Sequence, residues 1–214
     1  MAWWLLRWFV VVGLLVAVGR TVGLPRFWVY AAIWSVCALY GSIAADSTLF
    51  KERLRPAGPS LDPLTLRALR LIAVAQLIVA LCDITAFHWS DTVPETLRII
   101  AMVVFAASMG LAMRALVVNR FFSSAVRVQH DRGHYVVSSG PYARIRHPGY
   151  LGMLIAAPAS ALALGSWLAL VPALAYSVLI VRRVRIEDRF LHEHLDGYAD
   201  YAARVRHRLI PGIW

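Results

Sequence analysis

The chain has 214 residues, 60% of them hydrophobic and only 16% charged, with a mean hydropathy of +0.63. Soluble domains carry about 25% charged residues, so this composition excludes an ordinary soluble enzyme and reads as an all-α integral membrane protein. The formal charge of +10 does not point to nucleic acid, because the basic residues alternate with apolar runs and build no aromatic-interleaved groove; they read as orientation signals in a bilayer.

In chain order, residues 3–18 predict a first membrane span, edged by Trp3, Trp4 and Arg20 and retained as an anchor because no small-residue cleavage site precedes Arg20. Pro25 separates it from a second span at about 27–45. A polar loop at 46–67 follows, in which Pro56, Pro59 and Pro63 prevent a continuous helix. Spans three and four are expected at about 68–89 and 97–118, split by Asp91, Pro94 and Glu95. Within them, Asp83 and Arg114 are costly in lipid and are read either as functional groups or as a pair with each other. Cys37 and Cys82 lie in apolar runs and read as small buried hydrophobes.

The second half, 119–214, reads as the catalytic region, with 1–118 as N-terminal membrane helices. Short extended pieces are expected at 126–129 and 134–138. The apolar run 151–181 is too long for one ordinary span, and Gly165-Ser166 at its middle predicts a helical hairpin. A charged amphipathic helix is expected from Arg182 to about His207. This gives about six membrane helices, and the Arg/Lys asymmetry places both termini and the motif face in the cytoplasm.

Gly, Pro, Tyr, Arg and His concentrate in Ser138-Ser-Gly-Pro-Tyr-Ala-Arg-Ile-Arg-His-Pro-Gly-Tyr-Leu-Gly152. Each Pro there restricts the residue before it and lacks an N–H, so the segment runs as irregular backbone. Next to a membrane, such backbone is tolerated only where protein or a water-filled cavity satisfies it, which marks a pocket. The hairpin returns Arg183, Glu187 and Asp188 to the same membrane face as His147 and Tyr150. A polar cofactor from the water side and a lipophilic substrate from the lipid side suit such a place. The plainer reading is that Arg183 and Glu187, four apart, simply pair on a solvated face. His192 and His194, two apart, point to different faces, and no metal site is expected.

The motif Arg146-His-Pro-Gly-Tyr-Leu-Gly152, an apolar hairpin, and Glu187-Asp188 resemble the two-part signature of the isoprenylcysteine carboxyl methyltransferase family, whose C-terminal region phospholipid and thiol methyltransferases share. The resemblance covers 119–214. It implies S-adenosyl-L-methionine as methyl donor. It also implies donor contacts at Gln129, at His134, Tyr135, Val136 and Val137, at Tyr142, His147, Pro148, Gly149 and Tyr150, and at Glu187. Arg183 falls on a substrate-contacting basic residue, so Arg183 and Glu187 are the expected catalytic pair. Two departures stand out: Asp188 replaces a second Glu, and Asp196-Gly-Tyr198 is one residue tighter than the usual stretch before the paired tyrosines.

The implied acceptor is a lipophilic or prenylated carboxylate drawn from the membrane, with no nucleic acid and no obligate protein partner. A phospholipid amine or a thiol is the alternative acceptor; an NADPH-dependent lipid reductase and a non-enzymatic carrier are the alternative functions. No Gly-rich strand–helix turn of the Rossmann type occurs, so a methyltransferase here has to be of the membrane kind.

Overall fold

A computed structural model describes residues 25–214 of the chain; the expected span at 3–18 lies outside the described residues. Helix α1 (Pro25–Ala44) starts on a proline, whose missing N–H costs nothing at a first helical position. Asp46 caps the short helix α2 (Ser47–Leu54) by accepting from the Thr48 N–H at 2.7 Å. Helix α3 (Pro63–Cys82) runs on through a wider turn at Asp83–Phe87 and stops at His88, whose φ of 56° is left-handed. Helix α4 (Glu95–Val118) crosses back. Three helical segments, Pro25–Ala44, Pro63–Phe87 and Glu95–Val118, are long and apolar enough to cross a membrane.

The apolar run after the motif divides into α5 (Pro148–Leu164) and α6 (Leu170–His194), followed by α7 (Tyr198–Arg204). Gly165, at φ 92°, closes α5, and the N–H groups of Gly165 and Ser166 bond back to Leu162 and Ala161 at 3.0 Å each. Pro158 inside α5 removes the donor that the Leu154 carbonyl would have used, and the Ser177 hydroxyl of α6 reaches that carbonyl at 3.4 Å. One expectation is corrected here: α6 does not end at residue 181 with a separate helix after it. No Gly or Pro follows Pro172 before Gly197, so one helix runs from the apolar turn out to His194. The described residues contain no strand, and the pieces at 126–129 and 134–138 run without a strand partner.

Helices α4 and α5 pack most closely, because small residues face each other: Ala101, Ser108, Ala112 and Ala115 on α4, Gly152, Ala156, Ala159 and Ala163 on α5. Where lipid is as apolar as side chains, close backbone approach supplies the packing energy. A Cβ on Gly152 would sit 2.6 Å from the Ser108 carbonyl oxygen and 2.8 Å from the Ala112 nitrogen. Both are backbone atoms and cannot swing aside. Gly152→Val should therefore destabilise the protein by about 3 kcal/mol, at the upper end for overpacking, read as a lower midpoint in thermal unfolding in detergent.

The two ends of the bundle differ. At the end away from the motif, buried Asp83 accepts from the hydroxyls of Ser90 and Ser166, and Ser90 in turn accepts from the Trp167 N–H at 2.9 Å. This pins the α5–α6 turn to the α3–α4 loop. Asp83 and Arg114 do not pair: Arg114 is exposed near the motif end of α4, nineteen residues beyond Glu95 and so about 28 Å along the helix. Cys82 is exposed and Cys37 half-buried.

Candidate active site

At the motif end one carboxylate holds three segments together. Arg146 points both its Nε and Nη2 at Asp188, at 2.8 and 3.2 Å. His147 Nε2 lies 3.2 Å from the same Oδ1, the Tyr198 hydroxyl donates to it at 3.0 Å, and Arg208 Nε donates to Oδ2 at 2.7 Å. Backbone bonds from Arg146 and His147 N–H to the carbonyls of His207 and Arg208, both 2.9 Å, tie the motif to the C-terminal tail. Burial alone would raise the Asp188 pKa, but the hydrogen bonds from His147, Arg146 and Arg208 outweigh it and hold the carboxyl far below its ordinary range. With Nε2 turned to Asp188, His147 keeps Nδ1 without a partner among the described residues.

A cleft forms over this framework, with about 700 Å³ of empty space, open mouth included. Gln129, His134, Tyr135, Val136 and Val137 line one side; Tyr142, His147, Gly149, Tyr150 and Glu187 line the other. Pro148 does not line it. It is buried at the first position of α5, where its ring starts the helix and its side chain faces protein. Gln129 lines the cleft with its amide already used: Nε2 donates to the Phe121 carbonyl at 2.8 Å and Oε1 accepts from Arg132.

His134 packs its ring on Phe121 with centroids 4.4 Å apart, and its Nδ1 accepts from the Gln129 N–H at 3.2 Å. Burial, aided by Arg132, pushes the His134 pKa down to about 4. The unfolded imidazole binds its proton near 6.5. The stability that the neutral ring contributes is therefore fully present above pH 6.5 and is lost as pH falls from there through about 4. Hydrogen exchange of the 129–137 loop should speed up over that interval, and His134→Gln should flatten the response. An unchanged profile in the variant would assign the effect elsewhere.

Two tyrosines that the sequence reading left out of the expected site, although it had noted Tyr198, complete the wall. Tyr201 donates to the Tyr142 carbonyl at 2.7 Å, and its own pKa is pushed up to about 12, chiefly by burial. Tyr198 is raised further still, by burial and by the negative Asp188. Both stay protonated and act as donors. Asp188 was expected beside His147, as a replacement for a second Glu, but not as the group that ties the segments together. Its neighbour Glu187 faces the cleft while Asp188, about 100° round the helix, faces the Arg146 side. That difference of face was available from the helical period.

Glu187 and Arg183 do not form an ion pair with each other. Both reach the Tyr150 hydroxyl, which donates to Glu187 Oε2 at 2.7 Å and accepts from Arg183 Nε at 2.9 Å. Arg183 is 2% exposed and also donates to the carbonyls of Asp62 and Ser124, at 3.2 and 2.5 Å. Behind Tyr150 and the Phe122 ring lies a second cavity, about 670 Å³ with its opening included, lined by Arg53, Arg70 and Arg183 and by apolar residues of α3 and α6. None of its lining residues is acidic. The Phe122 ring sits against Gly149, where a Cβ would come within 2.5 Å of it. Thus Gly149 lets Phe122 and Tyr150 form a thin wall between a cleft bearing Glu187 and a cavity bearing three arginines.

A family model described as the isoprenylcysteine carboxyl methyltransferase family matches residues 99–193, which span α4, the motif, the hairpin and both Arg183 and Glu187. The matched segment is a little under half of the chain. Two probable protein-S-isoprenylcysteine O-methyltransferases, from Oryza sativa subsp. indica and subsp. japonica, are each 31% identical over 100 residues, covering 44% of this chain and 50% of theirs. The cobalt-zinc-cadmium resistance protein CzcN of Cupriavidus metallidurans is 39% identical over 86 residues, covering 38% of each chain. The chain thus matches half or less of the length of these curated relatives. A solved eukaryotic intramembrane Ras methyltransferase, an isoprenylcysteine carboxyl methyltransferase, superposes with a TM-score of 0.63 over 94% of this chain and 74% of its own, at 21% identity. The fold is therefore the one seen in that solved structure.

Proposed function

We propose that this protein is a membrane methyltransferase that uses S-adenosyl-L-methionine to methylate the carboxylate of a lipophilic acceptor, with the site facing the cytoplasm. The single observation that carries the reading is the Tyr150 hydroxyl, held between Arg183 and Glu187 where the two cavities meet. The residues of the cleft fit the donor. Glu187 supplies a negative charge for a ligand that carries a sulfonium and an ammonium. His147 Nδ1 is an open acceptor. The backbone N–H and C=O groups of Tyr135, Val136 and Val137 make no hydrogen bond within the protein, although Val136 and Val137 are half-buried, so they can pair with the edge of a flat heterocycle. When bound, the donor supplies an electrophilic methyl group and leaves as S-adenosylhomocysteine.

The chain's own residues then position the acceptor. Arg183, held rigid by the Asp62 and Ser124 carbonyls, has the planar fork that orients a carboxylate, and Arg53 and Arg70 keep the cavity positive. A carboxylate attacks as the anion, so no general base is required. That matches a cavity whose lining has arginines and no acid. Most of the rate enhancement then comes from alignment and exclusion of water.

The excess of basic residues at the motif end supports a cytoplasmic site. It collects Lys51, Arg53, Arg55, Arg67, Arg120 and the tail from Arg204 to Arg208, against Arg26 and Arg98 at the other end. Incubating the purified protein with methyl-labelled S-adenosylmethionine and a membrane lipid extract should label an acidic lipid as its base-labile ester. Label in an amine or thiol product would move the reading to the phospholipid or thiol branch. A melting-temperature rise with NADPH and none with S-adenosylmethionine would replace it with a reductase.

A further inference from the structure

The arginine-lined cavity adjoins a deeper one. Ala73, Met153 and Tyr176 line both it and a cavity between α1, α3, α4 and α5, about 980 Å³ with its opening included. The deeper walls are mostly apolar, among them Trp34, Leu77, Phe105 and Met109, as a lipid tail requires. Two polar groups interrupt them. Gln76, 6% exposed, donates from Nε2 to the Ala157 carbonyl at 2.7 Å, while its Oε1 has no hydrogen-bond partner among the described residues. Tyr30, 8% exposed and stacked on Phe105, accepts from the Ser160 hydroxyl at 3.0 Å, so its own O–H has no acceptor among them.

An open acceptor and an open donor inside a bilayer are costly unless something pairs with them. Their anchors, Ala157 and Ser160, are three apart on α5 and so lie on one face, about 5 Å from each other. One hydroxyl satisfies both: its proton goes to Gln76 Oε1 and its oxygen accepts from Tyr30. A keto group would leave Gln76 bare, and a plain hydrocarbon would leave both bare. Ala157 and Ser160 lie seven and ten residues beyond Tyr150 on α5, which is about 10 and 15 Å along the helix.

We infer that these two adjoining cavities together take one acceptor and select those whose tails carry a hydroxyl about 10–15 Å from the carboxylate, with Gln76 and Tyr30 as the specificity-determining residues. The inference rests on the carboxylate-methylating reading above.

Stearate and its mid-chain hydroxylated analogue, each with labelled S-adenosylmethionine, provide the test. The hydroxylated acid should show a kcat/KM about tenfold higher, the value of one satisfied buried hydrogen-bonding group. Gln76→Leu and Tyr30→Phe, both close in volume to the native side chains, should each remove the preference while stearate turnover persists. Melting temperature gives a readout independent of turnover: the hydroxylated acid should raise it more than stearate does, and Gln76→Leu should equalise them. Equal kcat/KM for the two acids, or a preference that survives both variants, would overturn the inference and leave water as the partner of the two groups. If neither acid is methylated yet the selective thermal shift is present and lost in Gln76→Leu, the tail site stands and the acceptor chemistry is what fails.

Discussion

Asp188→Asn should unfold this protein more readily than any other single isosteric change, by roughly 3–5 kcal/mol, the usual cost of removing one partner from a buried ion pair. Asn keeps the shape and loses the charge, leaving buried Arg146 with only the carbonyls of Val205 and Arg206, both at 2.9 Å, and leaving Arg208 without its anion. Because Asp188 also orients His147, affinity for S-adenosylhomocysteine should fall with it. Thermal unfolding in detergent and calorimetry check the two effects separately. The same group sets the acid limit. Its folded pKa is depressed, so its contribution is complete above the unfolded carboxylate value of about 3.9 and disappears as pH falls below it. Asp188→Asn should therefore lose the steep part of the acid transition. A variant that keeps both the wild-type midpoint and the wild-type acid profile would remove Asp188 from the centre of this site.

The second large effect separates donor from acceptor. Arg183→Ala should leave S-adenosylhomocysteine affinity near wild type and reduce turnover of an anionic acceptor by about two to three orders of magnitude, as expected for loss of a group that positions the reacting atoms. Arg183→Lys should recover little, because the fork that contacts Tyr150, Asp62 and Ser124 is lost even though the charge remains. Glu187→Gln should behave oppositely, weakening the donor by about ten- to a hundredfold, the range for a hydrogen bond to a charged group. Intact donor affinity in Arg183→Ala also shows that the fold survives. Small and similar effects in both variants would mean that the two side chains merely brace Tyr150.

Much of this was legible in the sequence, and the failures have physical causes. Apolar runs located α1 and α4 to within a few residues, whereas α3 was started five residues late, because Pro63 was read as a helix breaker when it is a first helical residue. The hairpin turn was visible in Gly165, whose left-handed φ a larger residue would resist. The end of α6 was misjudged because a change from apolar to charged composition marks the membrane surface, not a helix end; only Gly and Pro mark that. Pro148 was counted as a donor contact because the family resemblance, matched residue by residue, includes it. The first turn of a helix sends neighbouring side chains in different directions, and Pro148 points into protein. Asp83 and Arg114 looked like partners because both are ionisable and intramembrane, but antiparallel helices put them at opposite ends. What sequence could not supply was the sharing of one Tyr150 hydroxyl by two charges, or the division of space by Phe122 against Gly149. Both depend on which residues distant in the chain meet.

The unbroken course of α6 makes the protein a gauge of bilayer thickness. Ala173, Ile180, Arg183 and Asp188 are all buried along one rod about 38 Å long, whose first half is apolar, as lipid would require, and whose second half is charged and carries the proposed site. No hinge separates the halves, so a hydrocarbon layer thicker or thinner than that apolar half tilts or shifts the whole rod. Arg183 and Glu187 then move as one body against α3 and the 119–147 loop, which supply the opposite walls of both cavities. The spacing between the two charges on α6 is fixed by the helix; their alignment with the rest of the site is set by the membrane. Turnover in vesicles should accordingly peak at one acyl-chain length and fall on either side of it, with the donor-binding cleft and the acceptor cavity losing register together.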